Sequence, residues 1–272
     1  MEAGDHSGGL AVVTGASSGI GFELAKVLGE AGFDLLINAE DEELAQAARE
    51  LSALTGVRAV RTDLSDPDGV EGLYSAIRGE ARPVDVLCLN AGIGSGGDFV
   101  RETDLRKELR LVDLNVRSTV HLAKLVLRDM VARDEGRVLF TSSIASAMPG
   151  SFQAVYNASK SFVQSFALAV REELGDTGVT ITSLMPGPTE TEFFERADME
   201  DTKIGASEKD DAAEVARQGF EALMSGEAKV VAGSLMNKVQ ASVAGRVLPD
   251  GAKAKMHRRM AEPGSADEDG GS

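Results

Sequence analysis

Short apolar runs alternate with longer amphipathic stretches along most of the chain. Most of the short runs lack the apolar–polar alternation of a half-exposed strand, and continuous apolar strands are typical of a sheet that is covered on both faces. The pattern predicts an α/β fold, in which a doubly wound parallel sheet of about seven strands carries helices on both faces. The predicted strands are Leu10–Thr14, Asp34–Asn38, Val57–Arg61, Val84–Leu89, Arg137–Ser142, Val179–Leu184 and Lys229–Val231.

The organisation of the chain follows from where this alternation begins and ends. Residues 9–233 are predicted to form a single domain, preceded by a polar, Gly-rich segment over 1–8 that we expect to be flexible. A helical pattern continues as an extension over 234–260, and the acidic, Gly-rich segment 261–272 predicts a disordered tail. In a sheet of this kind, functional residues gather at the carboxyl ends of the strands.

Composition narrows the class of partner. The 272 residues are 43% hydrophobic, which is enough for one substantial core. The formal net charge of -16 at pH 7 disfavours binding to nucleic acid or to an anionic membrane. Cys88 is the one cysteine and lies in an apolar run, so an intrachain disulfide is excluded and a buried thiol is predicted. Because no apolar run approaches the roughly 20 residues of a membrane helix and the start is not leader-like, we expect a soluble, cytoplasmic protein with a small-molecule partner.

A Gly-rich turn, TGASSGIG, joins the first predicted strand to the first helix at residues 14–21. Its glycines permit a tight turn and close backbone approach, and the helix N-terminus offers free N–H groups to a pyrophosphate, as in the Rossmann-type dinucleotide folds. Taken alone the turn also fits an ordinary loop, but its position after a buried strand favours a dinucleotide. The contacts expected here are Gly15, Ser17, Ser18, Gly19, Ile20 and Gly21.

Acidic residues follow the second strand, where dinucleotide-binding sheets contact the adenosine ribose. Glu40 lies 19 residues after Gly21, about where an acidic residue accepts from the 2′-hydroxyl, and no Arg or Lys is adjacent in sequence. A carboxylate would repel a 2′-phosphate by up to about 4 kcal/mol at 4 Å. We therefore expect NAD as the cofactor, with NADP possible. The alternative is that Glu40 and Asp41 only cap the next helix, predicted to begin near Glu42.

Two further strand ends carry candidate cofactor contacts. Asp63 follows the third strand and could accept from the adenine amino group or cap a turn, and Leu64 beside it is assigned to the same site. Asn90, Ala91 and Gly92 end the fourth strand, where small residues would let the backbone approach the nicotinamide ribose. Taken singly, that tripeptide is only a turn signal.

Candidate acid–base residues lie on one predicted helix and at one strand end. Tyr156 and Lys160 are four residues apart in the helical segment Phe152–Glu173, so their side chains share a face. A phenol, whose pKa is near 10, needs a pKa roughly 3 units lower to act as a base at neutral pH, and a neighbouring ammonium favours the phenolate. Serine hydroxyls at Ser142 and Ser143 close the fifth strand and can donate to a substrate carbonyl.

On these motifs the chain resembles the short-chain dehydrogenase/reductase family, in the branch that carries a Tyr-xxx-Lys pair. The resemblance covers about Gly9 to Val231, and the order and spacing of the motifs argue against coincidence. It implies hydride transfer between a nicotinamide dinucleotide and a carbonyl or an alcohol, and a homodimer or homotetramer. The matching segments are Thr14–Gly21, Asn90–Gly92, Asn115, Ser143, Tyr156, Lys160 and Pro186–Gly187.

The resemblance also implies roles for the catalytic residues. Tyr156 would donate and accept the proton, and Ser143, which lies 13 residues before it, would orient the carbonyl. Lys160 would bind the ribose and lower the tyrosine pKa. Asn115 would hold a water that links Lys160 to solvent, although taken alone it fits a polar residue satisfied within the helical run Leu111–Met130.

A loop after the sixth strand completes the implied cofactor site. Pro186, Gly187 and Thr189 resemble the family's loop that contacts the nicotinamide. The same residues would also fit an ordinary turn.

One segment outside the motifs bears on the substrate. Residues 190–211 carry Phe193, Phe194 and Met199 among many charges, which fits either a mobile lid over an apolar pocket or a solvated loop with one hydrophobic anchor. Met148 fits a pocket wall or core packing equally.

A basic cluster marks the C-terminal extension. The pattern favours a solvated helix face over contact with an acidic carrier or a lipid surface. The cluster consists of Lys253, Lys255, His257, Arg258 and Arg259. His6, His121 and His257 lack metal-ligand spacing, so no metal is predicted.

The function that the sequence predicts is an oxidoreductase, with NAD favoured and Tyr156 as general acid/base. One alternative is an NADPH-dependent carbonyl or 3-oxoacyl reductase, in which Glu40 turns to solvent and Ser17 or Ser18 binds the phosphate. Another is a non-catalytic dinucleotide-binding sensor or interaction module. The set of Asn115, Ser143, Tyr156 and Lys160 argues against a non-catalytic role, because an idle scaffold has no chemical need for all four.

Overall fold

Seven parallel strands form one sheet in the computed structural model, which describes residues 8–233 and 249–266. The strands are β1 (Leu10–Thr14), β2 (Asp34–Ala39), β3 (Val57–Arg61), β4 (Val86–Leu89), β5 (Gly136–Thr141), β6 (Val179–Pro186) and β7 (Lys229–Ala232). Their order across the sheet is β3-β2-β1-β4-β5-β6-β7. The chain winds outward from β1 to β3 and then crosses to β4 on the other side of β1, so a crevice opens at the carboxyl ends of β1 and β4.

Helices connect the strands and cover both faces of the sheet. They are α1 (Gly19–Glu30), α2 (Leu44–Leu51), α3 (Pro67–Arg78), α4 (Leu105–Val112), α5 (Thr119–Ala132), α6 (Ala154–Glu173), α7 (Phe193–Arg196), α8 (Lys203–Ala206), α9 (Ala212–Met224) and α10 (Asp250–Ala261). A π-helical segment, Asp113–Ser118, joins α4 to α5, and a 3₁₀ turn, Ile144–Ala147, precedes α6.

The core consists of one apolar layer on each face of the sheet. Successive residues of a strand point to opposite faces, and Val12 accordingly packs with α3, α5 and α6, whereas Val13 packs with α1, α2 and α9. Both valines are fully buried. A third, smaller cluster joins the segment after β6 to α10 through Phe194, Met199 and Ala261.

The sequence-based fold prediction is confirmed. A doubly wound parallel sheet of seven strands carries helices on both faces, and the bounds of β1 and β3 coincide with those predicted. The thiol of Cys88 is buried, as expected, and burial raises its pKa to about 12. The run Leu111–Met130, predicted as one helix, is instead interrupted by the π-helical segment.

The acidic C-terminal tail differs in part from its prediction. Residues 261–266, expected to be disordered, pack against the segment after β6, where Ala261 and Ser265 are buried. The Gly264 N–H donates to Asp201 over 2.8 Å, and the Lys203 N–H donates to the Ser265 hydroxyl over 3.1 Å. The disorder prediction is therefore wrong for these six residues, because local hydrogen bonds outweigh the polar composition. The predicted flexible segment up to residue 7, the extension over 234–248 and the tail over 267–272 lie outside the described residues.

Candidate active site

A cavity of about 1000 Å³ opens at the carboxyl edge of the sheet. It spans the crevice between β1 and β4, where the doubly wound topology favours a ligand. The structure brings together here all of the cofactor contacts predicted from sequence and three of the four catalytic residues. Those lining the cavity are Gly15, Ser17, Ser18, Gly19, Ile20, Gly21, Glu40, Asp63, Leu64, Asn90, Ala91, Gly92, Ser143, Tyr156, Lys160, Pro186, Gly187 and Thr189.

The Gly-rich turn leaves no room for side chains at two of its glycines. A Cβ on Gly21 would lie 1.9 Å from the Gly15 carbonyl oxygen, and a Cβ on Gly15 would lie 2.8 Å from the Ala91 Cα. Gly15 also takes a φ of 65°, a left-handed conformation that glycine adopts without strain. Helix α1 begins directly after this turn, and its N-cap Ser18 makes no side-chain cap. The first N–H groups of α1 therefore remain available to a pyrophosphate.

Thr14 and Asn90 hold the turn against the end of β4. The Thr14 hydroxyl accepts from the Asn90 and Ala91 N–H groups, over 3.0 Å each. The Asn90 amide donates to the carbonyl oxygens of Thr14 and Gly15, and its own oxygen accepts from the Thr141 hydroxyl over 3.1 Å. Asn90 thus fixes the backbone that borders the cavity. In the sequence, its tripeptide taken singly indicated only a turn.

The acidic residues after β2 face the cavity and do not cap α2. Helix α2 begins at Leu44, and its N-cap Glu43 makes no side-chain hydrogen bond to the helix. Asp41 instead accepts from the Ser17 hydroxyl over 2.9 Å through Oδ2. Its Oδ1 is buried and has no hydrogen-bond partner within the described part of the chain. The capping alternative is wrong, because neither Glu40 nor Asp41 caps α2.

Two arginines lie beside Glu40 in the fold, although none is adjacent in sequence. Arg110 of α4 donates to the Glu40 carboxylate, and the same nitrogen lies 3.2 Å from Asp63 Oδ2. Arg61 donates to the Glu40 carbonyl oxygen over 2.9 Å. The expectation of no basic neighbour was therefore wrong, since Arg110 is separated from Glu40 by 70 positions. Asp63 also caps a turn, because its Oδ1 accepts from the Ser65 N–H over 2.8 Å.

Tyr156 and Ser143 meet at the inner end of the cavity. Tyr156 lies in the first turns of α6, Ser143 follows β5, and both side chains line the cavity. Burial raises the pKa of Tyr156 to about 12, and the Ser143 side chain opposes this increase. The phenol is therefore protonated at neutral pH and is poised as a proton donor. Ser142, the neighbouring candidate, donates to the Lys160 carbonyl oxygen over 3.0 Å and braces α6.

Lys160 lies one turn further along α6, with Nζ 5.9 Å from the centre of the Tyr156 ring. Its ammonium donates to the Thr141 carbonyl oxygen over 3.0 Å, and burial lowers its pKa to about 8. The lysine is thus mostly charged at pH 7. The sequence-based expectation that Lys160 holds the tyrosine pKa below its usual value differs from the structure, because desolvation of the buried phenol dominates.

Asn115 lies behind the cavity wall and holds its backbone in place. Its Oδ1 accepts from the Ile93 N–H and its Nδ2 donates to the Ile93 carbonyl oxygen, over 2.9 Å each. Nδ2 also contacts the Ser159 hydroxyl at 3.1 Å. Asn115 sits in the π-helical segment, and such bulges occur frequently at functional sites. The implied water beside Lys160 stays a prediction.

The segment after β6 covers the catalytic end of the cavity. Phe193 packs against Tyr156 with the rings tilted by 51° and their centres 5.1 Å apart, whereas Phe194 and Met199 are buried anchors. Phe193 and Met148 both line the cavity. Thr189 is buried, and its hydroxyl donates to the Gly187 carbonyl oxygen over 2.9 Å. The segment therefore combines a hydrophobic anchor with a wall of the cavity.

The sequence predicted that the basic cluster of α10 forms a solvated helix face, and the structure differs from this in part. Lys253 and His257 are buried, whereas the other three basic residues of the cluster are exposed. His257 lines the cavity together with Met256 and Met260. Sequence reasoning missed this wall because α10 follows the motif-bearing region and its docking depends on tertiary contacts.

Within 8–233 and 249–266, no group of three His, Cys, Asp or Glu side chains could hold a metal ion. No helix in those ranges is long and apolar enough to cross a membrane.

Known proteins match the chain over the region that builds the cavity. The family model described as short chain dehydrogenase matches residues 9–202. The 3-oxoacyl-(acyl-carrier-protein) reductase FabG of Escherichia coli is 31% identical over 201 residues, covering 74% of this chain and 81% of that relative. The glycine betaine reductase ATRR of Emericella nidulans is 35% identical over 193 residues, or 70% of this chain, and the chain spans 15% of its length.

Solved structures share the architecture. The short-chain dehydrogenase of Sphingobium yanoikuyae in complex with NADPH superposes with a TM-score of 0.76 at 27% identity, covering 82% of this chain and 87% of that chain. A short-chain dehydrogenase/reductase of Burkholderia phymatum in complex with NAD superposes with a TM-score of 0.79 at 24% identity, covering 88% and 92%. The fold thus accommodates both nicotinamide cofactors.

Proposed function

The chain belongs to the short-chain dehydrogenase/reductase family, and we propose that it transfers hydride between NAD(H) and a carbonyl or secondary alcohol, with Tyr156 as general acid/base. Its family makes it an oxidoreductase that uses a nicotinamide cofactor. The observation that carries the proposal is that Ser143, Tyr156 and Lys160 line one cavity bordered by the Gly-rich turn. That placement gives one substrate oxygen a hydrogen-bond donor and an acid.

The cavity fits a nicotinamide dinucleotide. A Cβ at Gly15 or Gly21 would clash with neighbouring protein atoms, so only glycine permits this tight turn, and the start of α1 has N–H groups without a side-chain cap for a pyrophosphate. The carboxylates of Glu40 and Asp41 line the cavity after β2, where the adenosine ribose would lie. In this arrangement the Gly-rich turn would hold the diphosphate, Lys160 the nicotinamide ribose, and the loop from Pro186 to Thr189 the nicotinamide.

Tyr156 and Ser143 perform the acid–base step. In the reducing direction, the Ser143 hydroxyl donates to the substrate carbonyl oxygen, and the Tyr156 phenol transfers its proton to that oxygen as the carbonyl carbon gains hydride. When bound, a reduced nicotinamide would supply that hydride as the two-electron reductant. The nearby Lys160 ammonium stabilises the tyrosinate that remains. In the oxidising direction, the tyrosinate accepts the proton from the alcohol.

The acidic wall after β2 supports a preference for NAD over NADP. Glu40 and Asp41 both line the cavity, and their negative charges would repel a 2′-phosphate there. One observation favours the alternative of an NADPH-dependent reductase: Arg110 reaches this wall and could release Glu40 to pair with a 2′-phosphate. We propose NAD because the Arg110 guanidinium is already paired with two carboxylates, those of Glu40 and Asp63.

Neutralising the acidic wall is expected to shift the cofactor preference toward NADPH. In the double variant Glu40→Gln and Asp41→Asn, kcat/KM with NADPH relative to NADH should rise by about tenfold, because the charge repulsion of a 2′-phosphate is removed. Steady-state kinetics with both cofactors and one ketone measure this ratio.

The matched control is Glu42→Gln, which removes an exposed carboxylate that does not line the cavity. It should leave the ratio unchanged. A wild-type enzyme that prefers NADPH, or a double variant with the wild-type ratio, would show that Glu40 and Asp41 do not set the preference.

Assembly into a dimer or tetramer stays a prediction. Phe162 and Leu168 are large apolar side chains of α6 that are partly exposed, and they offer a face to a second copy. The non-catalytic alternative is disfavoured because Ser143, Tyr156 and Lys160 line one cavity.

A further inference from the structure

Helix α10 forms a wall of the cavity that no motif of the family region predicts. Met256, His257 and Met260 face the cavity from this helix. Ala261, at the end of α10, packs into the apolar cluster with Phe194 and Met199, which fixes the helix against the segment after β6. The side chains of α10 are therefore held at the cavity and belong to the surface that a substrate meets.

His257 is anchored in one orientation by the backbone before α6. Its Nδ1 lies 3.0 Å from the Ser151 carbonyl oxygen. The Ser151 hydroxyl in turn donates to the Ala254 carbonyl oxygen over 3.1 Å, so that Ser151 and α10 are joined twice. The imidazole is 3% exposed and has little freedom to rotate.

This anchor decides which ring nitrogen carries the proton. A carbonyl oxygen only accepts hydrogen bonds, so Nδ1 must be the protonated nitrogen. Burial lowers the pKa of His257, and the ring is therefore neutral at pH 7. Nε2 is then an acceptor, and among the residues that the structure describes it has no hydrogen-bond partner.

Several apolar side chains line the cavity together with His257. Met148, Phe193, Ile204, Met256 and Met260 line the same part of the cavity wall formed by α10, the segment after β6 and the turn before α6. An unpartnered acceptor in apolar surroundings costs free energy unless a ligand donates to it. The side chains therefore fit a substrate with a bulky apolar body and one hydrogen-bond donor.

We propose that His257 determines substrate specificity by accepting, at Nε2, a hydrogen bond from a substrate hydroxyl other than the carbonyl that reacts. The substrates are then hydroxyketones with an apolar body in the reducing direction, and the corresponding diols in the oxidising direction. Ser143 and Tyr156 hold the reacting oxygen, whereas His257 holds the second one.

The test rests on the proposed function and uses matched pairs of ketones. The probes are ω-hydroxy-2-alkanones and ω-methoxy-2-alkanones of increasing chain length, which differ in whether the terminal oxygen can donate a hydrogen bond. With NADH and the wild-type enzyme, kcat/KM should favour the hydroxy member by about five- to tenfold at one chain length, the range of a single hydrogen bond.

The decisive variant is His257→Asn. The asparagine amide can keep the hydrogen bond to the Ser151 carbonyl oxygen, but it has no group at the position of Nε2. This variant should lose the hydroxy preference and reduce the methoxy series as the wild type does. Met260→Leu, which changes the same wall without a polar group, is the control and should alter both members of each pair equally.

The outcomes separate the two proposals. Turnover of both series without a hydroxy preference at any chain length overturns the role of His257 and leaves the proposed function intact. The same holds if His257→Asn, folded with the wild-type melting temperature, keeps the preference. Failure to reduce any of the ketones with either cofactor overturns the proposed function, and the role of His257 falls with it.

Discussion

Replacing Tyr156 by phenylalanine is expected to lower kcat/KM for ketone reduction by about 10³-fold, within the range that a positioned general acid contributes. The variant keeps the ring that packs on Phe193 but removes the hydroxyl that would donate the proton. Cofactor affinity should be nearly unchanged, because the Gly-rich turn and Lys160 remain in place. Turnover with a ketone panel and fluorescence titration with NADH measure the two quantities.

The chain supplies a matched control for this change. Tyr74 is the only other tyrosine in the sequence. Its hydroxyl donates to Asp129 over 2.9 Å on the surface and does not line the cavity. Tyr74→Phe makes the same chemical change and should keep wild-type turnover. Turnover of a folded Tyr156→Phe enzyme within a few-fold of the wild type would refute its role as the acid.

Gly21→Ala is expected to abolish NADH binding and to lower the free energy of unfolding by about 3 kcal/mol or more, the upper range for overpacking. The added Cβ would lie 1.9 Å from the Gly15 carbonyl oxygen and 2.5 Å from Asn90 Nδ2. Neither neighbour can move without disturbing the clamp between the turn and β4. Chemical denaturation and NADH titration measure the two effects.

Gly72→Ala provides the comparison for that substitution. Gly72 is exposed in the middle of α3, and its Cβ would meet only the Thr62 methyl at 3.9 Å. Alanine should there stabilise the helix by about 0.5–1 kcal/mol and leave NADH binding unchanged. If Gly21→Ala were as stable as the wild type and bound NADH, the close packing of the turn would not be required for folding or for cofactor binding.

Much of the fold could be predicted because burial on both faces leaves a local signature. The apolar runs at Leu10–Thr14 and Val179–Leu184 read as buried strands, and the structure has strands there. The Tyr156 and Lys160 pair was also predictable from the local sequence, because a four-residue spacing on a helix places both side chains on one face.

Other features depend on contacts between distant segments and had no local signal. Arg110 meets Glu40 only after α4 packs beside the end of β2, and the buried surroundings that raise the tyrosine pKa exist only in the fold. Asn115, in the π-helical segment, forms hydrogen bonds to Ile93, which lies 22 positions earlier in the chain. The sequence placed His257 on a charged helix face because its hydrogen-bond partner, the Ser151 carbonyl oxygen, lies 106 positions earlier in the chain.

The most direct test of the proposed activity is to follow the hydride itself. The purified enzyme is incubated with a ketone and with NADH that carries deuterium at the transferring position of nicotinamide C4, and the alcohol is examined by mass spectrometry. Direct transfer predicts one deuterium on the carbinol carbon of the product. A ketone left unreduced by either cofactor, or an alcohol without deuterium from either face of the labelled nicotinamide, would contradict it.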